Sequence, residues 1–441
     1  IGGPLPYYVT TDSAHRTYQV LFEAALKEVE QGVAGRVRAM LETLLVRLEN
    51  APVVRGGPTE RGRALALGHV AVAARLMGLD APVPSYLQAQ VQAEVDLVME
   101  AAGNATSPLF GVEEAYTLYR PRGFYEGNET LESYFRAMTW MGRRGFRVGD
   151  VNETWAAVHL LQVIRADEAL LDAFKQLDAF LDWMVGPADD LTVPEYAAAL
   201  APLYAEGEAP PTPERIQAAL APLRAPEINA DLLPPDAWAR FREATKGLRL
   251  MPSRRTPDAW LFQRLGEVRE PGENPSGLDV AIALGSERAG LRRAGPGGNA
   301  AELEKQVVEA TPGFRERMAG THYGDTLRTI ALLYDKASAV SAGQAAPKGP
   351  EGTPMFPASL FGSGAWNDRL LTTGLASWTS LRHAWALHTK MTMYALGATR
   401  DPTGVVEPAP RFYAALAALS RSFVERVDAF GGFGQDPRAV L

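Results

Sequence analysis

Cysteine is absent from the 441 residues, and there are only six histidines. The first absence excludes disulfide staples, thiolate nucleophiles and thiolate metal centres. No stretch reaches the roughly 18 consecutive apolar residues of a bilayer-spanning helix. The most apolar segment, residues 64–74, is too short and contains His69, so no transmembrane segment is expected. Positive charge is also not in excess: 44 Lys and Arg against 52 Asp and Glu leave a net charge of −8. Nucleic acid and anionic membranes both need a basic footprint, and neither is an expected partner.

Several chemical signatures are missing as well. There is no Gly-x-Ser-x-Gly elbow, no phosphate loop ending in Gly-Lys-Ser/Thr and no dinucleotide fingerprint after a strand. Nucleophile-elbow hydrolases, nucleotidases and dehydrogenases are disfavoured, and no cofactor is expected. The pair His322 and Asp325 and the five-residue step from His383 to His388 miss the i, i+4 spacing of a helical zinc pair, so no metal site is expected either. A calcium site built from Asp and backbone oxygens stays open, although no loop has EF-hand spacing.

What is present is helical periodicity. Leu21, Phe22, Ala25, Leu26 and Val29 form one apolar stripe behind a cap at Asp12 or Ser13, and Val33–Leu48 repeats the pattern. Further helices are expected over Arg63–Leu79, Ser85–Met99, Thr154–Ile164, Asp167–Met184, Asn299–Val308, Thr326–Val340 and Leu375–Leu396, with a last one from Phe412 to about Phe430. Period-2 alternation is confined to Val9–Thr11 and Leu248–Met251. The expected class is all-α: one large domain over residues 1–441, built from paired antiparallel helices with long irregular loops and little strand. An α/α-toroid is an extrapolation from that pairing. Sub-boundaries are expected near 207–213, with a flexible Pro-, Gly- and Ala-rich loop at 342–354.

Three segments concentrate aromatics, carboxylates and cations. The first holds Tyr7, Tyr8 and Asp12, where Asp12 is either an acid in a tyrosine-lined pocket or part of a helix cap. The second contains Arg120, Glu126, Glu132, Arg136 and Trp140; Glu132 and Arg136 are four apart and can pair across one helix face. The third contains Asp368, Trp378, Arg382, His383 and Trp385, with Trp378, Arg382 and Trp385 at i, i+4 and i+7. Such a face either stacks a planar or sugar ligand or forms a helix–helix seam. Carboxylates beside aromatic platforms are the ingredients of sugar hydrolysis. Glu126, Asp12 and Asp368 are therefore the candidate acid/base groups. Tyr7, Tyr8, Arg120, Glu132, Arg136, Trp140, Trp378, Arg382 and His383 are the candidate ligand-binding groups.

The chain resembles the bacterial and archaeal domain-of-unknown-function 3160 family. The resemblance is carried by LPYYVTTDSAHRTY (Leu5–Tyr18), PRGFYEGNETLESYFRAMTW (Pro121–Trp140), RLMPSRRTPDAWLFQ (Arg249–Gln263) and NPSGLDVAIALGSERA (Asn274–Ala289). FPASLFGSGAWNDRLLTTGLASWTSLRH (Phe356–His383) and GVVEPAPRFY (Gly404–Tyr413) complete it in the family's order. The resemblance implies a cell-envelope setting, exported or lipid-anchored, with no established activity. Because the sequence begins at Ile1 rather than Met, a processed or trimmed N-terminus is expected, and a removed export signal would leave no trace in it. The family's usual acid after the Arg-His pair is Ala384 here, so an activity needing that acid is put in doubt. Two functions follow as expectations: an extracytoplasmic protein with a cleft that binds or hydrolyses a glycan or other small polar ligand, or a non-catalytic envelope protein that meets protein partners.

Overall fold

The computed structural model describes residues 9–51, 57–204, 212–229, 235–269, 273–334, 358–390 and 409–429. Tyr7, Tyr8 and the 342–354 loop lie outside the described residues, as does most of the 207–213 boundary.

The first helix, α1 (Thr11–Asn50), runs for 40 residues and merges the two helices expected there. Gly32 and Gly35 do not break it because its buried stripe continues through Val29, Val33 and Val37. Its cap is Thr10, not Asp12 or Ser13. The Thr10 hydroxyl accepts from Ser13 N at 3.2 Å, and Thr10 N donates to the Ser13 hydroxyl at 3.0 Å. This reciprocal box satisfies two orphan N–H groups. It also makes Val9–Thr11 the lead into a helix rather than a strand.

The next helix, α2 (Gly57–Leu76), returns antiparallel to α1. Arg63 near its start donates to Leu48 O at 2.9 Å, and Arg38 reaches Met77 O just beyond its end at 2.5 Å. Small residues then allow a close crossing with α5 (Val151–Arg165). A Cβ on Gly62 would stand 2.5 Å from the Cβ of Trp155, so only glycine fits. Ala71, Ala73, Ala74, Ala156 and Ala157 are all buried. Interiors pack at crystal-like density, and alanines let two backbones share that space.

Between them come α3 (Ser85–Glu100) and α4 (Glu129–Arg143). After α5 follow α6 (Glu168–Met184), α7 (Val193–Leu200), α8 (Pro213–Leu220), α9 (Pro235–Thr245), α10 (Pro257–Val268) and α11 (Gly277–Ala283). The series continues with α12 (Glu287–Ala294), α13 (Ala300–Ala310), α14 (Phe314–Arg317), α15 (His322–Ala331), α16 (Gly364–Ala384) and α17 (Pro410–Ala429). The protein is all-α. Among the described residues the strands form two small antiparallel pairs, Asn104–Thr106 with Glu113–Ala115 and Phe146–Arg147 with Gly247–Leu248. Of the Leu248–Met251 strand expectation, only Leu248 is realised.

The α1 helix serves as a spine. Toward its N-terminus, the Phe22 ring meets Trp385 edge-on at 5.8 Å and Phe423 of α17 at 5.2 Å. Toward its C-terminus, Arg47 pairs with Asp167, the cap of α6, at 2.9 Å. One continuous apolar cluster extends from Tyr18 to Val427.

Candidate functional site

The segments meet in two places rather than around one hollow: the first and third where the start of α1 meets the first half of α16, and the second and third where the short 3₁₀ turn Gly123–Tyr125 reaches the end of α16. Ser363 caps α16 by accepting from Trp366 N at 3.1 Å, so the helix starts well before the expected Leu375. Its first half clasps the start of α1. Arg369 donates to Asp12 at 2.6 Å and Thr373 donates to the same oxygen at 3.2 Å. Asp12 is therefore a surface carboxylate fixed in place by α16.

The expected Trp378–Arg382 stack is present, with the guanidinium carbon 5.3 Å from the indole centroid. What it surrounds was not foreseen. Asp258, in the first turn of α10, is fully buried. One of its oxygens accepts from Arg382 at 2.5 Å, from the Trp378 indole at 2.8 Å and from the Tyr323 hydroxyl at 3.0 Å. Burial works against the Asp258 charge, but the Arg382 guanidinium and hydrogen bonds from Thr256, Arg382 and Trp378 outweigh it. They hold the carboxyl below its ordinary value. Trp385 completes the i, i+4, i+7 series at zero exposure. This face of α16 is a helix–helix seam that ties α10, α15 and α1 together.

A second buried carboxylate sits further along the seam. Glu30 of α1 pairs with His388 Nε2 at 2.7 Å. The Tyr125 and Tyr134 phenols close on the same carboxylate; burial, with its charge, holds both well above the usual phenol range. Glu30 and His388 are each about 4% exposed at the side chain. No substrate reaches a pair so enclosed, and its effect is to pin α1, the 123–125 turn, α4 and the end of α16 together. Sequence reasoning missed Asp258, Tyr323, Glu30 and His388. The one available signal was Arg382, whose place on an aromatic face required an unseen carboxylate partner.

On the outer side, the 123–125 turn reaches α16. Gly123 adopts φ +64°, and a Cβ there would lie 3.1 Å from the His383 ring. His383 is exposed, as are Arg120 and Glu126. Glu132 accepts from Gly127 N at 3.0 Å and pairs with Arg136 at 3.3 Å, so the expected i, i+4 pair exists at the start of α4. Arg122 stands 5.9 Å over the Phe135 ring.

Two other candidates have different surroundings from those expected. Trp140 is not on an accessible face. It has zero exposure, donates its indole N–H to His69 O at 3.0 Å and stacks on the His69 ring at 5.4 Å, which makes it part of the core. Asp368 is gripped by Arg288 at 2.6 and 2.5 Å and by Arg292 at 2.8 and 2.6 Å, both bidentate. Those two guanidiniums hold its carboxyl well below the carboxylate range. A group so held is ionised at neutral pH and cannot act as a proton donor. Ala384 is buried.

The chain matches the family described as "Protein of unknown function (DUF3160)" over residues 3–437. It belongs to this family. No curated protein and no solved structure matches it. Within this DUF3160 chain, the stretches that carried the resemblance have identifiable structural uses. Arg249–Gln263 supplies Asp258, Phe356–His383 supplies its three-residue clasp's Trp378 and Arg382, and Pro121–Trp140 supplies the outer turn and the Glu132–Arg136 pair.

Proposed function

We propose that this protein binds a glycan or similarly polar small ligand outside the cytoplasm, and that it does so without hydrolysing it. The binding surface is the outer rim formed by Arg120, Glu126, Glu132, Arg136 and His383. One contrast supports this reading: Arg120, Glu126 and His383 are exposed, whereas Asp368 is gripped and kept ionised by Arg288 and Arg292. Hydrolysis needs a carboxylic acid that keeps its proton beside a second, ionised carboxylate. Recognition needs only oriented donors and acceptors, which the rim provides.

Titration calorimetry across a glycan library, with reducing-sugar release measured on the same samples, tests the reading. The expected result is binding that weakens on Glu126→Gln and Arg136→Ala, with no sugar released. Release of reducing sugar that stops on Glu126→Gln would establish a hydrolase instead. Placement outside the cytoplasm rests only on what the resemblance to the DUF3160 family implies. It is tested by whether the 5′ end of the gene encodes a signal peptide or lipidation site. Purely structural work in the envelope is the second reading, favoured by the packing of Trp140 and Trp385 into the core. It predicts that Trp378→Ala lowers the melting temperature while no small ligand raises it.

A further inference from the structure

The Glu30–His388 pair belongs to a buried cluster whose polar atoms outnumber its hydrogen bonds. Glu30 Oε1 has His388 Nε2 at 2.7 Å. Glu30 Oε2 and the hydroxyls of Tyr125 and Tyr134 close on one another without a well-formed hydrogen bond among them. All four residues are buried. Buried polar groups normally have partners, so three unmatched oxygens side by side point to a shared one.

Four separate elements deliver these groups, and each is held in place. Glu30 lies mid-way along α1. Tyr125 stacks on Phe124 at 4.2 Å and meets Phe135 edge-on at 5.3 Å. Tyr134 is carried by α4 at zero exposure. Beyond α16, His388 O accepts from Arg254 N at 2.7 Å and Lys390 N donates to Arg254 O at 3.0 Å, which fixes the backbone on either side of Thr389.

The donor set selects the kind of ion. Phenolate and carboxylate oxygens are hard ligands, and imidazole adds a preference for a transition metal over calcium or magnesium. With both phenols ionised, Glu30, Tyr125 and Tyr134 supply three negative charges beside a neutral His388, which balances a trivalent cation. Among the described residues no guanidinium or ammonium acts on either phenol, so no positive charge opposes a cation there. The 2.7 Å from Glu30 to His388 is also near the roughly 2.9 Å between two ligand atoms at right angles around an ion with bonds of about 2.0–2.1 Å.

We infer that Glu30, Tyr125, Tyr134 and His388 form a binding site for one ferric ion. Burial and the Glu30 charge keep both phenols protonated in the ion's absence. Binding therefore releases the two phenolic protons to solvent as the phenolate oxygens take the metal, and no electron is transferred. The enclosure that bars a substrate suits a resident ion, which is taken up as the chain folds. The site is independent of the polar rim and of the glycan reading.

The full chain is loaded with ferric nitrilotriacetate by two routes, incubation of the folded protein and refolding from urea, and excess iron is removed by desalting. One iron per chain is expected by at least one route, with the visible absorption of phenolate-to-ferric charge transfer. Tyr125→Phe and Tyr134→Phe keep both rings in place; each is expected to lose roughly half of that band, and the double variant all of it. Glu30→Gln is expected to weaken iron at least about tenfold, and where it does not fold the phenylalanine variants decide. No visible band by either route, iron bound without the band, or a band that survives the double variant overturns the site. Uptake of one zinc ion that iron fails to displace overturns its assignment to ferric iron.

Discussion

Arg382 and His383 are consecutive on α16, separated by about 100° of helix rotation, and their surroundings are opposite. Arg382 is 13% exposed at the side chain and paired with a fully buried carboxylate, while His383 is exposed against the 123–125 turn. The same contrast separates Asp258 from Glu126: one carboxylate has three side-chain donors on a single oxygen, the other is exposed. A dense run of aromatic and charged residues is therefore two things at once. Its inward half assembles the helices, and only its outward half is available to a ligand. The strongest way to break this division is Asp258→Ala. It leaves the Arg382 guanidinium buried without its counter-charge, which costs about 3–5 kcal/mol. Urea unfolding measures it, and a loss below about 1 kcal/mol would show that the inward face is not the structural one.

Acid should act on the inward side as well. His322 stacks on Phe22 at 5.2 Å, and burial pulls its imidazole down to about 3; burial likewise takes His69 to about 3. In the unfolded chain both titrate near 6.5. Below that pH the unfolded state takes up protons that the folded state refuses, so stability is complete above about 6.5 and falls as pH drops toward 3. The slope is roughly 1.4 kcal/mol per pH unit for each histidine. Urea midpoints at pH 7, 5.5 and 4.5 measure it. His322→Phe, which keeps a stacked ring, should remove one histidine's share of the slope; an unchanged slope would mean that His322 is not the group refusing the proton.

The sequence made the helices legible, because burial on one side of an element leaves a 3.6-residue signature. It also revealed the Trp378–Arg382 stack and the Glu132–Arg136 pair, since residues four apart on a helix must be neighbours. It could not reveal which side of α16 faces inward. Trp378, Arg382 and Trp385 look the same on a ligand-stacking face as on a seam, and the deciding partner, Asp258, lies more than a hundred residues away. Glu30 was hidden for a related reason: within α1 it reads as one more charged surface position, and its partners Tyr125, Tyr134 and His388 come from distant elements. Buried polar networks are long-range objects, whereas periodicity and spacing are local ones.

The junction between the two sides is Gly123. Its positive φ is costly for any residue with a Cβ, and that Cβ would also press on His383. Gly123→Ala should lose about 1 kcal/mol from the backbone conformation, plus a smaller contribution from displacing the ring. Adding His383→Ala to it should recover only the second part. A double-mutant cycle gives the coupling. Full recovery would mean that the ring contact, not the backbone, fixes the turn.

The smallest stability effect belongs to Glu126→Gln. The side chain is exposed, so removing its charge should change unfolding free energy by no more than about 0.5 kcal/mol. The same substitution removes an acceptor from the rim and should weaken glycan binding. Asp258→Ala would have the reverse profile, a large stability loss that disturbs binding only by loosening the scaffold. The pair is informative because each variant fails differently if the division between faces is wrong. Should Glu126→Gln destabilise the fold by more than about 1 kcal/mol, the outer turn is itself structural, and α16 would have no side reserved for a ligand.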